Sequence, residues 1–205
     1  MKKVYIAITI LCLALSAGLL IRTAARGSAR PAYTIDYMVT ERDASGNLTG
    51  SYQVHRLQSA SGNWKDVKNY EDGSVHILMC DLDRGAVFDV EKDHLIHVSG
   101  CSPHLLPTDE QLRQSPLHNG QVERILGFDT VAITDGPATF FKSGALGGEI
   151  LKIVLKSPDG STVTQEATKI TLGEPEAHRM EYPKDLPVDE TLFEKRQASQ
   201  RLLQK

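Results

Sequence analysis

No acidic residue occurs in the first thirty positions, and no charge of either sign occurs between Val4 and Ile21. Those two absences make the amino-terminal segment an export device and exclude it from fold reasoning, because a basic start (Lys2, Lys3), an apolar run and a small-residue tail describe a secretory signal or a membrane anchor. Other absences are equally selective. The chain has no Gly-x-Ser-x-Gly elbow, and Gly144-Ala-Leu-Gly147-Gly148 is followed by no Lys-Ser/Thr pair, so the nucleophile turn of a hydrolase and the phosphate cradle of a nucleotide-binding loop are both missing. Basic charge is scarce beyond the leader: 18 Lys and Arg stand against 26 Asp and Glu from residue 31 onward, a net charge of −8. A nucleic-acid surface requires the opposite sign.

Cysteine is limited to three residues, of which Cys12 lies inside the apolar run without the context that lipid attachment needs. Cys80 and Cys101 remain, an even count that an oxidising compartment permits to pair. Cys80 belongs to a strand and Cys101 follows a strand two further along, so they meet only if the chain folds back after Gly100; a buried free thiol at Cys80 is the alternative. Metal chemistry finds no support. His94 and His97 stand three apart on a strand and so face opposite ways, and Asp81-x-Asp83-x-Gly85 lacks the length and closing glutamate of a calcium loop. No cofactor, metal site or catalytic group is expected, and the chain does not read as an enzyme. Asn47-Leu-Thr49 fits a glycosylation sequon but is explained as turn chemistry.

The apolar run reaches about 27 Å as a helix, enough for a thin bilayer, while Thr23 with Ala25 or Gly27 with Ala29 suits cleavage. Both fates stay open. Arg22, Arg26 and Arg30 nearly balance the basic start across the segment, so the expected product is an exported periplasmic or envelope protein, membrane-anchored through residues 4–21 or secreted after cleavage. Residues 1–30 form the leader and linker, 31–187 one domain, and 188–205 a carboxy-terminal helical tail.

Period two dominates the domain. Tyr33, Ile35, Tyr37 and Val39 alternate with polar or flexible neighbours, and further strands follow at 50–57, 64–70, 75–82, 86–90 and 95–99. Links this short impose an antiparallel meander. Thr108 three before Gln111 marks the start of a short helix around Leu112. Strands then resume: a run from Arg124 through Phe128 into Ile133, then 138–142, 149–157 and, after the Pro158-Asp-Gly160 turn, 163–172. The fold class is mainly β with a minor helical part (α+β). It is a curved antiparallel sheet, a half-barrel or open barrel with one short internal helix, an apolar amino-terminal helix and a carboxy-terminal helix.

The run Ile125-Leu-Gly-Phe-Asp-Thr-Val131, a strand ending at Pro-Asp-Gly, Ile170-Thr-Leu-Gly-Glu-Pro175, and Leu186-Pro187 to Leu192-Phe193 complete a pattern. Across residues 33 to 193 it resembles exported proteins related to the lipoprotein-localisation factors, the LolA/LolB-like fold. That resemblance rests on strand order and turn spacing and implies no catalytic motif. The carrier type of that family is freed by signal cleavage and the receptor type is held by a lipidated cysteine absent here, so neither transport role carries over.

A curved sheet must cover its apolar face, and one internal helix is little cover. Tyr33, Ile35, Tyr37, Val39, Tyr52, Val54 and Leu112 are the candidate lining of a groove for a lipid, acyl chain or other hydrophobic ligand. The same residues serve equally as a closed core. The other functional class is a membrane-tethered module that binds an envelope protein through sheet edges, without a pocket.

Overall fold

The computed structural model describes residues 30–90, 96–101, 106–183, 185–191 and 193–195; the apolar amino-terminal run and His94 lie outside them. Among the described residues no helix is long and apolar enough to cross a membrane.

Twelve strands form one sheet: β1 (Tyr33–Arg42), β2 (Leu48–Gln58), β3 (Trp64–Tyr70), β4 (Val75–Asp81), β5 (Ala86–Val90), β6 (Ile96–Gly100), β7 (His118–Ile125), β8 (Phe128–Asp135), β9 (Ala138–Ser143), β10 (Glu149–Lys156), β11 (Thr162–Leu172) and β12 (Val188–Asp189). The order is β12-β6-β5-β4-β3-β2-β1-β11-β10-β9-β8-β7. Two meanders, β1 to β6 and β7 to β11, are therefore sewn together by the β1–β11 pair, which puts the first strand in the middle of the sheet. β12 adds two residues in parallel to β6, beyond residue 187.

Chain length shows that the sheet curls. Flat, β6 and β10 would lie seven strand spacings apart, about 34 Å. Five residues lie between Gly100 at the end of β6 and Leu106, and the six Cα links that join them reach at most about 23 Å. Yet Leu106 sits against Gly147, between β9 and β10, so closely that a Cβ there would approach its Cδ2 to 2.9 Å. The two halves must approach across one face, so the sheet is curved while its edges, β7 and β12, stay apart in the strand order.

The crossover carries α1 (Asp109–Arg113), which starts where the sequence places it: the Thr108 side chain accepts from Gln111 N, and Gln111 Oε1 accepts from Thr108 N. Its one buried side chain, Leu112, packs on Val131 and Ile133 of β8.

One strand differs from the sequence reading. The stretch from Arg124 to Ile133 is not continuous, because Leu126 and Gly127 both take positive φ (49° and 91°) and make a two-residue hairpin turn between β7 and β8. At the carboxy terminus, Ala177–Met180 forms a 3-10 turn and the backbone is helical at Thr191 and Phe193–Lys195; residues 196–205 of the expected tail lie outside the described residues.

Directly opposed residues of an antiparallel ladder share a face, so the register sorts the side chains. One face carries the rows Tyr33–Gln58–Trp64–Cys80–Val87 and Ile35–Arg56–Asp66–Leu78–Asp89. We call this face, which carries the β1 row, inner. The outer face carries Thr34–Leu57–Lys65–Met79–Phe88–Val98. Each face has its own core. The β1 row packs with Leu146, Leu151 and Phe141, whereas Met79, Phe88, Val90, Ile96 and Val98 are covered by Tyr182, Leu186 and Phe193. Tyr182 stacks on Phe88 at 4.7 Å.

Candidate functional site

The inner face changes character across the sheet. At β1 it is closed: Tyr33, Ile35, Tyr37, Val39 and, on β2, Val54 are all buried, with exposures of 4% or less. From β2 to β5 the same face is half-buried, through Tyr52, Trp64, Tyr70, Leu78 and Val87. Tyr52 is the candidate lining residue at the boundary, its ring 5.0 Å from that of Tyr70. The structure thus brings six of the seven candidate lining residues into or against one cluster, while Leu112 belongs to a second cluster on β8.

A charged group sits where closed and open parts meet. Arg56 Nη1 donates to Asp66 Oδ2 at 2.8 Å, and its Nη2 lies 3.5 Å from Glu149 Oε2. Tyr33 donates its hydroxyl to Glu149 Oε2 at 2.5 Å; Tyr37 donates to Glu149 Oε1 at 3.3 Å and to the Ile150 carbonyl at 2.8 Å. The guanidinium also lies over Trp64, 4.5 Å from the ring centroid. The three charged side chains keep only 14–19% of their exposure.

Burial disfavours ionisation of the phenols, and the Glu149 carboxylate beside them adds to the effect, so both hydroxyls are held protonated far above the usual tyrosine range. Burial also works against the Arg56 charge, but Glu149 and Asp66 outweigh it and fix the cation. Asp66 is pushed above the ordinary carboxylate range by burial, with Arg56 acting against that. Among the described residues, the buried atoms Arg56 Nε, Asp66 Oδ1 and Ser143 Oγ find no hydrogen-bond partner. Burying a charged pair is a poor way to stabilise a fold.

The sequence reading did not include Arg56, Asp66 or Glu149. A signal for the first was present, since Val54 and Arg56 stand two apart in one strand and so share a face.

The fold-back after Gly100 occurs. Cys101 N donates to the Gly85 carbonyl at 2.8 Å, and Cys80 and Cys101 form a disulfide with a Cα separation of 5.9 Å. The bond ties β4 to the start of the crossover. Two His side chains pair with acids on the sheet, His55 with Asp36 at 2.8 Å and His76 with Asp89 at 2.7 Å. Among the described residues no three His, Cys, Asp or Glu side chains are placed to hold a metal ion.

No protein-family model matches the chain, and no curated protein is similar to it at the sequence level. Solved structures are similar to it, among them the following three. MucB in complex with MucA(peri) is 13% identical over 78% of this chain and 57% of its own, with a TM-score of 0.43. PNGF-II is 14% identical over 80% of this chain and 32% of its own, at 0.45. The chain therefore spans little more than half of the first and a third of the second. A LolA superfamily protein from Nitrosomonas europaea is 9% identical over 76% of this chain and 92% of its own, with a TM-score of 0.37.

Proposed function

We propose that the chain is a non-enzymatic binding protein of the cell envelope, exported by residues 4–21, that takes an apolar ligand in the inner face over β2 to β5. The observation that carries this reading is the uneven burial of one face: Tyr33, Ile35, Tyr37 and Val39 are buried at β1, while Tyr52, Trp64, Tyr70, Leu78 and Val87 stay half-buried from β2 to β5. The closed β1 row forms the wall of the groove rather than its lining. An apolar side chain left partly wet gains from a partner about 25 cal/mol for each Å² covered.

The test is uptake of N-phenyl-1-naphthylamine by the full chain as the producing cell processes it. The reading expects saturable fluorescence gain that is lost in Leu78→Asp while the β-sheet circular dichroism is kept. Absence of saturable uptake by the unmodified protein would sink it.

An interaction module is the second reading, favoured by the β7 edge. Among the described residues β7 pairs with β8 alone, and Val122 and the adjoining Leu126 are about half exposed. An open edge accepts a partner strand. Site-specific photo-crosslinking from position 122 to one defined envelope protein, in cells, is the result this reading expects.

A further inference from the structure

The carboxy-terminal segment lies on the outer face as a bound peptide would. It leaves β11 at Gly173, whose φ of 119° and open surroundings make a hinge, and is then fastened point by point. Glu174 Oε2 accepts from Ala60 N at 3.0 Å, the Glu181 carbonyl accepts from Lys65 Nζ, and Glu190 Oε1 accepts from Arg84 Nη2 at 2.6 Å. Between these points Tyr182 and Leu186 pack on the outer core, and Ile96 N donates to the Pro187 carbonyl at 2.9 Å where β12 begins. Charge follows the same pattern. The two cations of the bed, Lys65 and Arg84, meet a strap with seven acidic residues against three Lys and Arg from Glu174 to Lys195.

This fit is incomplete. β6 has five residues, and β12 pairs with Ile96 and His97 alone. Ile96 N–H faces the strap, whereas Cys101 N–H faces Gly85 on the β5 side, so by the alternation of a strand the N–H groups of Val98 and Gly100 face the strap side too. Among the described residues no strand lies beside them there, because the strap backbone turns helical at Thr191 and leaves the edge. Tyr182 and Leu186 are themselves only half-buried.

We propose that the outer face of β4 to β6, with the β6 edge, is a docking surface for an extended acidic segment of another protein, and that the chain's own strap fills it until that partner arrives. The resident strap supplies the partner's chemistry: an aromatic side chain over Phe88, an aliphatic one four residues on, then a stretch running parallel to β6 with an acid beside Arg84. Bare Phe88, Ile96 and Val98 would be wet, so the event is a displacement in which the partner replaces the lost cover. A strap tethered at Gly173 competes at an effective concentration on the order of millimolar, and a separate segment must therefore fit better. Pairing with Val98 to Gly100 is how it does so. The surface faces away from the groove, and the proposal does not rest on it.

The experiment uses the full-length gene product, as processed by the cell, and a fluorescein-labelled peptide of residues 176–195 followed by anisotropy, with light scattering to give the protein's mass. Tyr182→Ala with Leu186→Ala weakens the strap and leaves its bed intact, and is expected to bind the peptide at least tenfold more tightly than the parent. Adding His97→Cys and Asp189→Cys, directly opposed in the β12–β6 pair, and oxidising them locks the strap and is expected to return binding to the parent level or below. A second peptide, residues 176–190 continued by Thr-Val-Thr, keeps the strand extended and is expected to bind the unmodified protein at least fivefold more tightly than the first. Should the variants fail to fold, that ranking decides alone. No gain in the weakened strap, binding indifferent to the lock, or equal affinity for the two peptides would overturn the proposal. A dimer whose straps cross between copies would also overturn it, by assigning the surface to a second copy of the chain.

Discussion

Replacing Gly144 with alanine should loosen the crossover helix from the sheet, and the structure sets the size of the effect. A Cβ at this position would stand 2.2 Å from Asp109 N, 2.6 Å from Asp109 Oδ1 and 2.7 Å from the Thr108 carbonyl carbon. Two of these atoms are backbone, in a helix start already fixed by its capping box, so no rotamer change relieves the clash. The corner must withdraw. In doing so it gives up the bond that Gly144 N donates to Asp109 Oδ1 at 2.6 Å, worth about 1.5–3 kcal/mol with an ionised acceptor. Part of the burial of Leu112 goes with it, of the order of 1 kcal/mol from a side chain worth about 1.5–3 when fully covered. The expected loss is about 3 kcal/mol, or roughly 6–12 °C in Tm for a domain of this size. Gly100→Ala is the matched control, since Gly100 has nothing within 4 Å of an added Cβ and its φ is not positive. Urea unfolding followed by Trp64 fluorescence should place the control within about 0.5 kcal/mol of the parent, the usual range for an uncomplicated surface change. A Gly144→Ala protein as stable as the control would mean that α1 does not seat on this corner.

Ile35→Asp puts an unpaired charge at a fully buried position and should cost more than about 4 kcal/mol, seen as loss of the cooperative urea transition. Asp66 holds its proton more tightly when folded than when unfolded, so the parent should lose stability as pH rises from about 4 through the raised folded value. Asp66→Asn should lack that slope in urea midpoints measured across the acid range. Replacing Cys80 and Cys101 together with serine opens a closed loop of 21 residues and should cost about 3 kcal/mol, with the reduced parent matching the variant in the same assay.

The strands that sequence made legible are those with one wet and one dry face. β1 shows it best, its burial alternating residue by residue through Tyr33, Ile35, Tyr37 and Val39. β7 was merged into β8 because His118-Asn-Gly-Gln121 offers no apolar alternation, and an edge strand exposed along most of its length needs none. The turn at Leu126-Gly127 was hidden inside an apolar run, where the leucine gives no hint of its positive φ. Strand order was beyond local reading, because β1 pairs with β11 across the whole domain. The groove residues were half legible. Tyr52 was found by its alternation, but Arg56 and Asp66 become an inner-face pair only once the β2–β3 register sets one opposite the other. Charges on a strand otherwise read as its solvent side.

The two cores on opposite faces separate stability from the proposed binding in the first meander. β4 and β5 are anchored from outside, where Phe88 is almost wholly buried, stacked on Tyr182 and covered by Arg84 at 4.8 Å from its ring. Their inner face is then free of the duty of holding the strands, which is the condition under which half-wet residues such as Leu78 can persist in a stable sheet. The two faces should therefore respond differently to the same kind of truncation. Phe88→Ala removes a stacked, covered ring and should cost about 3–5 kcal/mol. Leu78→Ala, on the strand alongside and pointing the other way, leaves no closed cavity and should cost below about 1.5 kcal/mol while weakening apolar-probe uptake at least fivefold. Urea unfolding and probe titration on the same two preparations separate the effects. Equal destabilisation by the two changes would show that the inner face of β4 is ordinary core, and the groove would then have no floor.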